Sequence, residues 1–268
     1  MRGLGRRKWA AALCASAAFA WMSVFGYGGL ARALTIEVIS PTAQPVYAVL
    51  DAPTVLIYHT HTWEAYEMTE TAQYTPTQTW RTMDNAHNMV RVGEELSRAL
   101  TARGFRVTHD TTAFEPPDLS ASYARSLEMI EQRLAAGEAY DYIIDVHRDA
   151  YSGLRNGANA VQGTDGTVAY VMMLVGKGTG QTGSGFDERP DWPQNLDLAQ
   201  AITDSMNEQL PGIARDVKIK TGRFNQHVSV NAMLIEVGNN RNTLDEALRA
   251  CEVIAASIAS VHAQRSVR

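Results

Sequence analysis

Cysteine is scarce in this sequence, since the 268 residues contain only Cys14 and Cys251. Cys14 lies in an apolar N-terminal stretch, so it cannot pair with Cys251 inside a folded domain. Cys251 falls on one apolar helical face with Leu248 and Ile254, a setting that favours a small buried residue over a reactive thiol. The sequence therefore argues against a disulfide-stapled scaffold and against a cysteine nucleophile.

Acidic residues are absent from the first 36 positions. Four basic residues there precede an uncharged stretch of 22 residues, 9–30, which is typical of an export segment. The stretch is long enough to form an apolar helix across a bilayer core of ~30 Å, yet Ala31-Arg32-Ala33 also fits a cleavage site. We therefore predict a membrane anchor at 1–33, with a cleaved secretion signal as the alternative. Either one places the rest of the chain outside the cytoplasm.

Signatures of nucleotide and serine chemistry are missing as well. The chain has no P-loop lysine pattern and no G-x-S-x-G elbow. Residues 178–183 match G-x-G-x-x-G, but Pro190 and Pro193 interrupt the region where a phosphate-binding helix would begin. The net charge of -5, with no basic stripe, gives no case for nucleic acid as a partner.

Apolar runs and amphipathic stretches alternate after residue 53, which predicts one α/β domain over 54–268. Residues 34–53, broken by prolines, are typical of a linker. The expected architecture has three layers, with a mainly parallel central sheet flanked by helices. The predicted strands are 55–58, 105–107, 142–146, 168–175 and 232–235, and the predicted helices are 89–100, 120–136, 195–210 and one that begins with a capping box at Thr243 and Glu246.

Histidines follow two of these strands. His59 and His61 come directly after the first strand, and His147 follows the third. Ligands of open α/β sheets bind outside the carboxyl ends of strands, so these side chains can converge. His61 and Glu64 form H-x-x-E, and His147 completes the three ligands of a catalytic zinc site. Taken singly, His59 or His61 can equally lie exposed at a loop mouth, and His147 can be a hydrogen-bonded core residue.

Glu236 is the candidate general base. It ends the apolar run 233–235, where an unpaired carboxylate is costly to bury and usually has a task or a partner. Activated water must lose a proton as it attacks, and a leaving amine must gain one. The structural alternative is a glutamate bonded to backbone groups at a strand end. His87, His109 and His262 are expected to be structural.

Several stretches, taken in order along the chain, resemble the stage II sporulation protein P family of cell-wall hydrolases. The resemblance covers about 55–256. The stretches that carry it are Ile57-Tyr58-His59-Thr60-His61-Thr62-Trp63-Glu64-Ala65-Tyr66, Asn88-Met89-Val90-Arg91-Val92-Gly93, His109-Asp110, Ser122-Tyr123-Ala124-Arg125-Ser126, Asp145-Val146-His147-Arg148-Asp149-Ala150, and Phe224-Asn225-Gln226 through Ile235-Glu236-Val237-Gly238 to Asn242-Thr243.

The resemblance implies a zinc-dependent N-acetylmuramoyl-L-alanine amidase, which cuts the amide between the glycan lactyl group and the stem peptide. It also implies endopeptidase activity on peptide cross-links. Family members are typically membrane-anchored and act during engulfment in spore formers. They work with a lytic transglycosylase partner, stage II sporulation protein D.

Set against the broader zinc amidases, the resemblance implies His61 and His147 as metal ligands and Glu236 as the catalytic glutamate. The carboxylate ligand is Glu64 by this family's own motif, or Asp84 by its position ahead of the first helix, and we favour Glu64. His59 is the reserve ligand. Asn225 is implied to contact substrate.

Two departures from the family pattern bear on substrate contacts and on domain placement. His227 stands where an acidic residue is expected, and the region ahead of the catalytic domain is short. Arg148 is expected to bind a stem-peptide carboxylate and Asp149 to support a metal ligand, with solvated surface as the alternative for both. A zinc carboxypeptidase-like peptidase and a non-catalytic wall-binding module are the rival functions.

Overall fold

A computed structural model describes residues 52–150, 159–180 and 188–267. This part of the chain contains eight strands and four α-helices. The strands are β1 (Thr54–Tyr58), β2 (Arg106–His109), β3 (Tyr142–Asp149), β4 (Ala160–Gly163), β5 (Gly166–Ala169), β6 (Val171–Gly176), β7 (Ala214–Lys220) and β8 (Ala232–Asn239). The helices are α1 (Met89–Thr101), α2 (Ser122–Ala135), α3 (Trp192–Gln209) and α4 (Leu244–Ser266).

Six of the strands form one sheet in the order β2-β1-β3-β8-β6-β7. β1 is parallel to β2 and to β3, and β3 is parallel to β8. β6 runs antiparallel to β8 but parallel to β7, so the last two strands of the sheet are reversed. The predicted α/β class with a mainly parallel sheet flanked by helices is confirmed.

The predicted strand 168–175 is in fact two strands in separate sheets. β5 pairs with β4 in a small antiparallel hairpin, whereas β6 enters the central sheet. Tyr170 separates them, and its backbone N–H donates to the carbonyl of Asn159 at 3.1 Å while its carbonyl accepts from Gly238. A continuous apolar run therefore hides a change of sheet.

The sequence gives little signal for β7. This strand lies at the sheet edge and none of its residues is fully buried. Arg215, Asp216, Lys218 and Lys220 interrupt its apolar positions. Edge strands are commonly charged, because charge discourages pairing with another chain.

The two faces of the sheet carry separate apolar clusters. The larger cluster takes side chains from α1, α3 and α4, and the smaller one includes Ile130 of α2. Side chains alternate along a strand, so Ile144 points into the larger cluster and its neighbour Ile143 into the smaller. Helices therefore cover both faces, which gives the three predicted layers.

Two of the four α-helices, α1 and α4, begin with a side-chain cap. The Asn88 side chain accepts from the Val90 N–H at 2.9 Å and begins α1. At α4 the predicted capping box is present, because the Thr243 hydroxyl accepts from the Glu246 N–H and the Glu246 carboxylate accepts from the Thr243 N–H. Such caps satisfy backbone donors that the helix cannot.

The chain divides into two units, Met1–Pro45 and Val46–Arg268. The first unit, with the predicted anchor or signal at 1–33 and most of the predicted linker 34–53, lies outside the described residues. Of the helices within the described ranges, none has the length and apolarity to cross a membrane.

Candidate metal centre

Three ionisable side chains share the α2 face of the sheet. His147 of β3 and Glu236 of β8 are register partners on neighbouring strands, and Asp145 lies two residues before His147. In-register neighbours on parallel strands point to the same face, as do residues two apart on one strand. All three are buried, being at most 9% exposed.

Two carboxylates flank the imidazole of His147. Its Nδ1 lies 3.6 Å from Oε2 of Glu64, and its Nε2 lies 2.9 Å from Oδ1 of Asp145. The second contact is close but poorly aligned for a hydrogen bond. Burial lowers the pKa of His147, but these two carboxylates outweigh it and raise that pKa well above its ordinary value.

The loop after β1 brings His61 and Glu64 to the same place. The Glu64 N–H donates to the His61 carbonyl at 3.3 Å, which closes a turn. The His61 and His147 rings meet edge to face, with centroids 5.2 Å apart. Burial lowers the pKa of His61 to about 4, which keeps the ring neutral. Its Nδ1 is buried and has no hydrogen-bond partner within the described part of the chain.

Burial raises the pKa of Glu64, but His147 and Arg148 outweigh that effect and lower it to about 2. Glu64 is therefore ionised at neutral pH. The loop thus presents a neutral imidazole and a carboxylate towards a second imidazole.

The side chains at this site are of the types that bind zinc. Within the described ranges, no three His, Cys, Asp or Glu side chains already converge as a finished metal cage. The side chains that do meet are two imidazoles and one carboxylate, which are ligand types that zinc prefers. The 3.6 Å between Nδ1 of His147 and Oε2 of Glu64 is near the ~3.3 Å that separates two ligand atoms around tetrahedral zinc. The unpartnered His61 nitrogen supports the same fit.

The two alternative ligands are engaged elsewhere. Asp84 is half exposed, and it accepts from the Ala86 N–H at 3.0 Å and contacts Nδ1 of His87 at 2.8 Å. His59 is fully buried, and its Nδ1 donates to the Val146 carbonyl at 3.0 Å. Its Nε2 lies 2.8 Å from Nε2 of His109, so His59 accepts there. Of the two carboxylates considered as ligands from sequence, Glu64 and Asp84, Glu64 is therefore the one that the fold brings to His147.

Glu236 has the properties of a proton carrier. Burial raises its pKa to about 7. Its Oε2 is buried and lacks a hydrogen-bond partner among the residues the structure describes. A carboxyl poised near neutral pH can both take and release a proton at this oxygen.

Arg148 is placed differently from the sequence-based expectation. Its side chain is 7% exposed, and it donates to the carbonyls of Ala65 at 3.0 Å and Trp80 at 3.1 Å. Its backbone N–H donates to Oε2 of Glu64 at 3.3 Å. Arg148 thus holds the loop that carries Glu64, because its guanidinium bonds the loop backbone instead of facing a cleft.

Asn225 is also buried, and its amide nitrogen donates to the carbonyl of Tyr123 at 2.9 Å and to the Ser126 hydroxyl at 3.0 Å. These contacts tie the segment after β7 to the first turn of α2. His227, the departure from the family pattern, is half-buried two residues later, and burial lowers its pKa to about 4.

Sequence reasoning misses two residues of the site. Asp145, rather than the expected Asp149, contacts His147, and it also accepts from the Thr60 N–H at 2.8 Å and the Thr60 hydroxyl at 2.7 Å. The available signal is its position two residues before His147 in an otherwise apolar strand. The Tyr123 ring meets His61 edge to face, with centroids 5.5 Å apart, and lies nearly parallel to His147, with centroids 6.4 Å apart. The available signal for Tyr123 is its place in the stretch 122–126, one of those that carry the family resemblance.

Comparison with known proteins identifies relatives by sequence. The family model described as Stage II sporulation protein P (SpoIIP) matches residues 42–259. The Stage II sporulation protein P of Bacillus subtilis (strain 168) is 26% identical over 216 residues, which cover 76% of this chain and 50% of that protein. The chain therefore spans about half the length of the curated relative it matches.

Two solved structures are similar over most of their lengths. The N-acetylmuramoyl-L-alanine amidase AmiC2 of Nostoc punctiforme aligns with a TM-score of 0.45 and 13% identity, over 81% of this chain and 98% of that one. The catalytic domain of CwlV, an N-acetylmuramoyl-L-alanine amidase from Bacillus (Paenibacillus) polymyxa var. colistinus, aligns with a TM-score of 0.46 and 11% identity, over 81% and 99%. Both likenesses are distant.

Proposed function

Because this chain belongs to the stage II sporulation protein P family, we propose that it hydrolyses peptidoglycan at the amide between N-acetylmuramic acid and the L-alanine of the stem peptide. One observation carries the proposal: His61, Glu64 and His147 meet beside Glu236 on one face of the sheet. Two imidazoles, one ionised carboxylate and one protonatable carboxyl are the parts that metal-assisted amide hydrolysis requires.

In this proposal His61, Glu64 and His147 hold a zinc ion. Zinc bound there supplies Lewis-acid chemistry, since it lowers the pKa of water and polarises an amide carbonyl. Asp145 keeps the His147 ring oriented through its contact with Nε2. Arg148 and its contacts to Ala65 and Trp80 fix the loop that presents Glu64.

Glu236 moves the proton in this scheme. Its unpartnered Oε2 takes a proton from the attacking water and gives it to the leaving amine of L-alanine. Burial raises the pKa of Glu236 above its ordinary value, which favours the protonated form that the second step needs. Asn225 then acts as a positioning residue, because its bonds to Tyr123 and Ser126 hold the segment beside the site.

The setting of the reaction follows from the family resemblance and from the N-terminal sequence. We propose action on the extracytoplasmic side of the membrane, with 1–33 as anchor, during engulfment in a spore former. The same resemblance supports cross-link endopeptidase activity as a second reaction and a stage II sporulation protein D-like lytic transglycosylase as partner.

Digestion of purified peptidoglycan tests the proposal. The protein is incubated with the wall polymer with and without a strong zinc chelator, and mass spectrometry identifies the fragments. The expected result is intact stem peptides with a free L-alanine amine, together with glycan that keeps its lactyl carboxylate. Chelator should stop their release, and added zinc should restore it.

Other products of the same digestion would favour the rival functions. Release of a single terminal residue would replace the amidase with a carboxypeptidase. Binding to the polymer without any cleavage, in protein that carries zinc, would leave only a wall-binding module.

A further inference from the structure

Lysine is concentrated at one end of the sheet. Only four of the 24 basic residues of the chain are lysines, namely Lys8, Lys177, Lys218 and Lys220. Lys177 follows β6 directly and Lys220 ends β7, and the two ends are joined because the Lys177 N–H donates to the Lys220 carbonyl at 2.8 Å. A cavity of about 470 Å³ opens there, lined by Lys177, Ile219, Lys220, Thr221, Gly222 and Phe224.

This cavity is cationic in a protein that is acidic as a whole. Among the residues the structure describes, its lining carries two lysines and no carboxylate, while the chain has a net charge of -5. The Lys177 ammonium lies 4.6 Å from the Trp192 ring centroid, and the Lys220 ammonium lies 6.0 Å from that of Phe224. Aromatic rings hold these ammonium groups in place without neutralising them.

A row of aromatic rings connects the cavity with the candidate metal centre. The Phe224 ring lies 5.7 Å from that of Tyr123, which in turn lies 5.5 Å from His61. The two lysines are therefore separated from the metal ligands by two aromatic side chains.

The backbone is shaped to hold Phe224 at this position. Phe224 and Asn225 both adopt left-handed conformations, with φ of 49° and 53°, which non-glycine residues seldom do. The Phe224 ring fills space where glycines replace side chains, since a Cβ added to Gly176 or Gly222 would come within 2.7 Å of it. Strain of this kind persists where the surroundings enforce it, and it is common at ligand sites.

We propose that this cavity binds a carboxylate of the peptidoglycan stem peptide while the amide bond lies at the metal centre. The proposal rests on the function proposed above and names the substrate feature that the site recognises. The ammonium groups of Lys177 and Lys220 pair with the carboxylate, and Phe224 and Tyr123 line the path of the peptide from the metal centre. Arg148, which the sequence favours for this task, is occupied by backbone carbonyls.

Isothermal titration calorimetry tests the proposal. The protein is the full chain with Glu236→Gln, because loss of the proton carrier should prevent cleavage of the probes during the titration. The probes are N-acetylmuramoyl-L-alanyl-γ-D-glutamyl-L-lysine and the analogue in which both carboxylates are amides. We expect the free acid to bind on the order of tenfold more tightly, and this preference to shrink as salt rises. Lys177→Gln combined with Lys220→Gln should remove the preference without changing the affinity for the diamide.

Arg106→Gln is the control matched in charge to each single lysine variant, because it removes one positive charge from β2 at the opposite edge of the sheet. It should retain the full preference for the acid. Equal binding of the acid and the diamide overturns the subsite, as does a preference that survives loss of both lysines.

The subsite and the amidase activity fail in different ways. Suppose that the wild-type chain cleaves peptidoglycan, but the ratio of KM for the acid substrate to KM for the diamide substrate is the same in the lysine variants as in the wild type. The subsite is then wrong and the function stands. If the chain cleaves nothing and yet shows the lysine-dependent preference, the function is wrong and the binding site stands.

Discussion

His147 and Glu236 lie side by side as register partners on the parallel strands β3 and β8. Backbone hydrogen bonds of the sheet fix this pairing, so the candidate ligand and the candidate base keep a constant relation without help from loops. The loop after β1 then adds His61 and Glu64 from the side. His147 and Glu236 are thus held by the sheet, and the loop supplies the other two side chains of the site. This agrees with the general rule that reactive groups are positioned most precisely on strands or helices.

Asp145 should control zinc affinity through His147. Asp145→Asn removes the carboxylate 2.9 Å from Nε2 of His147, while an amide oxygen can still accept from Thr60. We expect zinc to bind about 10- to 100-fold more weakly, measured by competition with a chromogenic chelator. Asp149→Asn is the control and should bind zinc as the wild type does. Equal affinities for the two variants would remove Asp145 from the site.

Gly93 should be intolerant of any side chain. A Cβ at this position of α1 would lie 2.5 Å from Nε2 of His59 and 2.5 Å from Nε2 of His109. Alanine usually stabilises a helix relative to glycine by up to ~1 kcal/mol, but overpacking a buried site costs about 1–3 kcal/mol. Gly93→Ala should therefore lower the melting temperature. Glu94→Ala, at a side chain 70% exposed, should leave it nearly unchanged, and a raised melting temperature for Gly93→Ala would contradict the close packing.

Protonation of Asp110 at acid pH should lower the free energy of unfolding. Burial raises its pKa, but the Arg133 guanidinium at 2.7 Å and the contacts to Thr112 outweigh burial and lower it. A carboxyl with a lowered folded-state pKa stabilises the fold above its unfolded pKa of ~3.9, and that stability is lost as pH falls through the folded-state value.

Asp110→Asn should therefore lower the free energy of unfolding at pH 7 by about 1–2 kcal/mol. It should also flatten the decline of that free energy below pH ~4. Urea unfolding at several pH values measures both effects. Asp216→Asn, at an exposed position of β7, is the control, and an unchanged acid slope in Asp110→Asn would show that the ion pair with Arg133 does not stabilise the fold.

The apolar runs point to His61, His147 and Glu236 from sequence, but only His61 lies after its strand. β3 and β8 continue to Asp149 and Asn239, so His147 and Glu236 lie within strands, contrary to the expectation that His147 follows one. The apolar runs cannot choose between Glu64 and Asp84, since both lie in a long loop without periodicity. Only the fold shows that Glu64 faces His147 whereas Asp84 bonds His87.

Interactions across the sheet are harder to predict than the strands themselves. Arg148 looks like a free cation in sequence, but its donors meet the carbonyls of Ala65 and Trp80, which are more than 60 residues away along the chain. β7 escapes prediction because an edge strand needs no apolar run. The lysine-lined cavity depends on this strand, and for that reason it emerges only from the fold.

Zinc content is the most direct test of the central claim that His61, Glu64 and His147 hold one metal ion. The measurement is zinc per chain by mass spectrometry after reconstitution and desalting, with melting curves to show that each variant is folded. The wild type and Glu236→Gln should each retain about one zinc ion, and His61→Ala and His147→Ala should each lose it. A folded wild-type chain that retains no zinc, or a folded His147→Ala chain that retains as much as the wild type, would contradict the account.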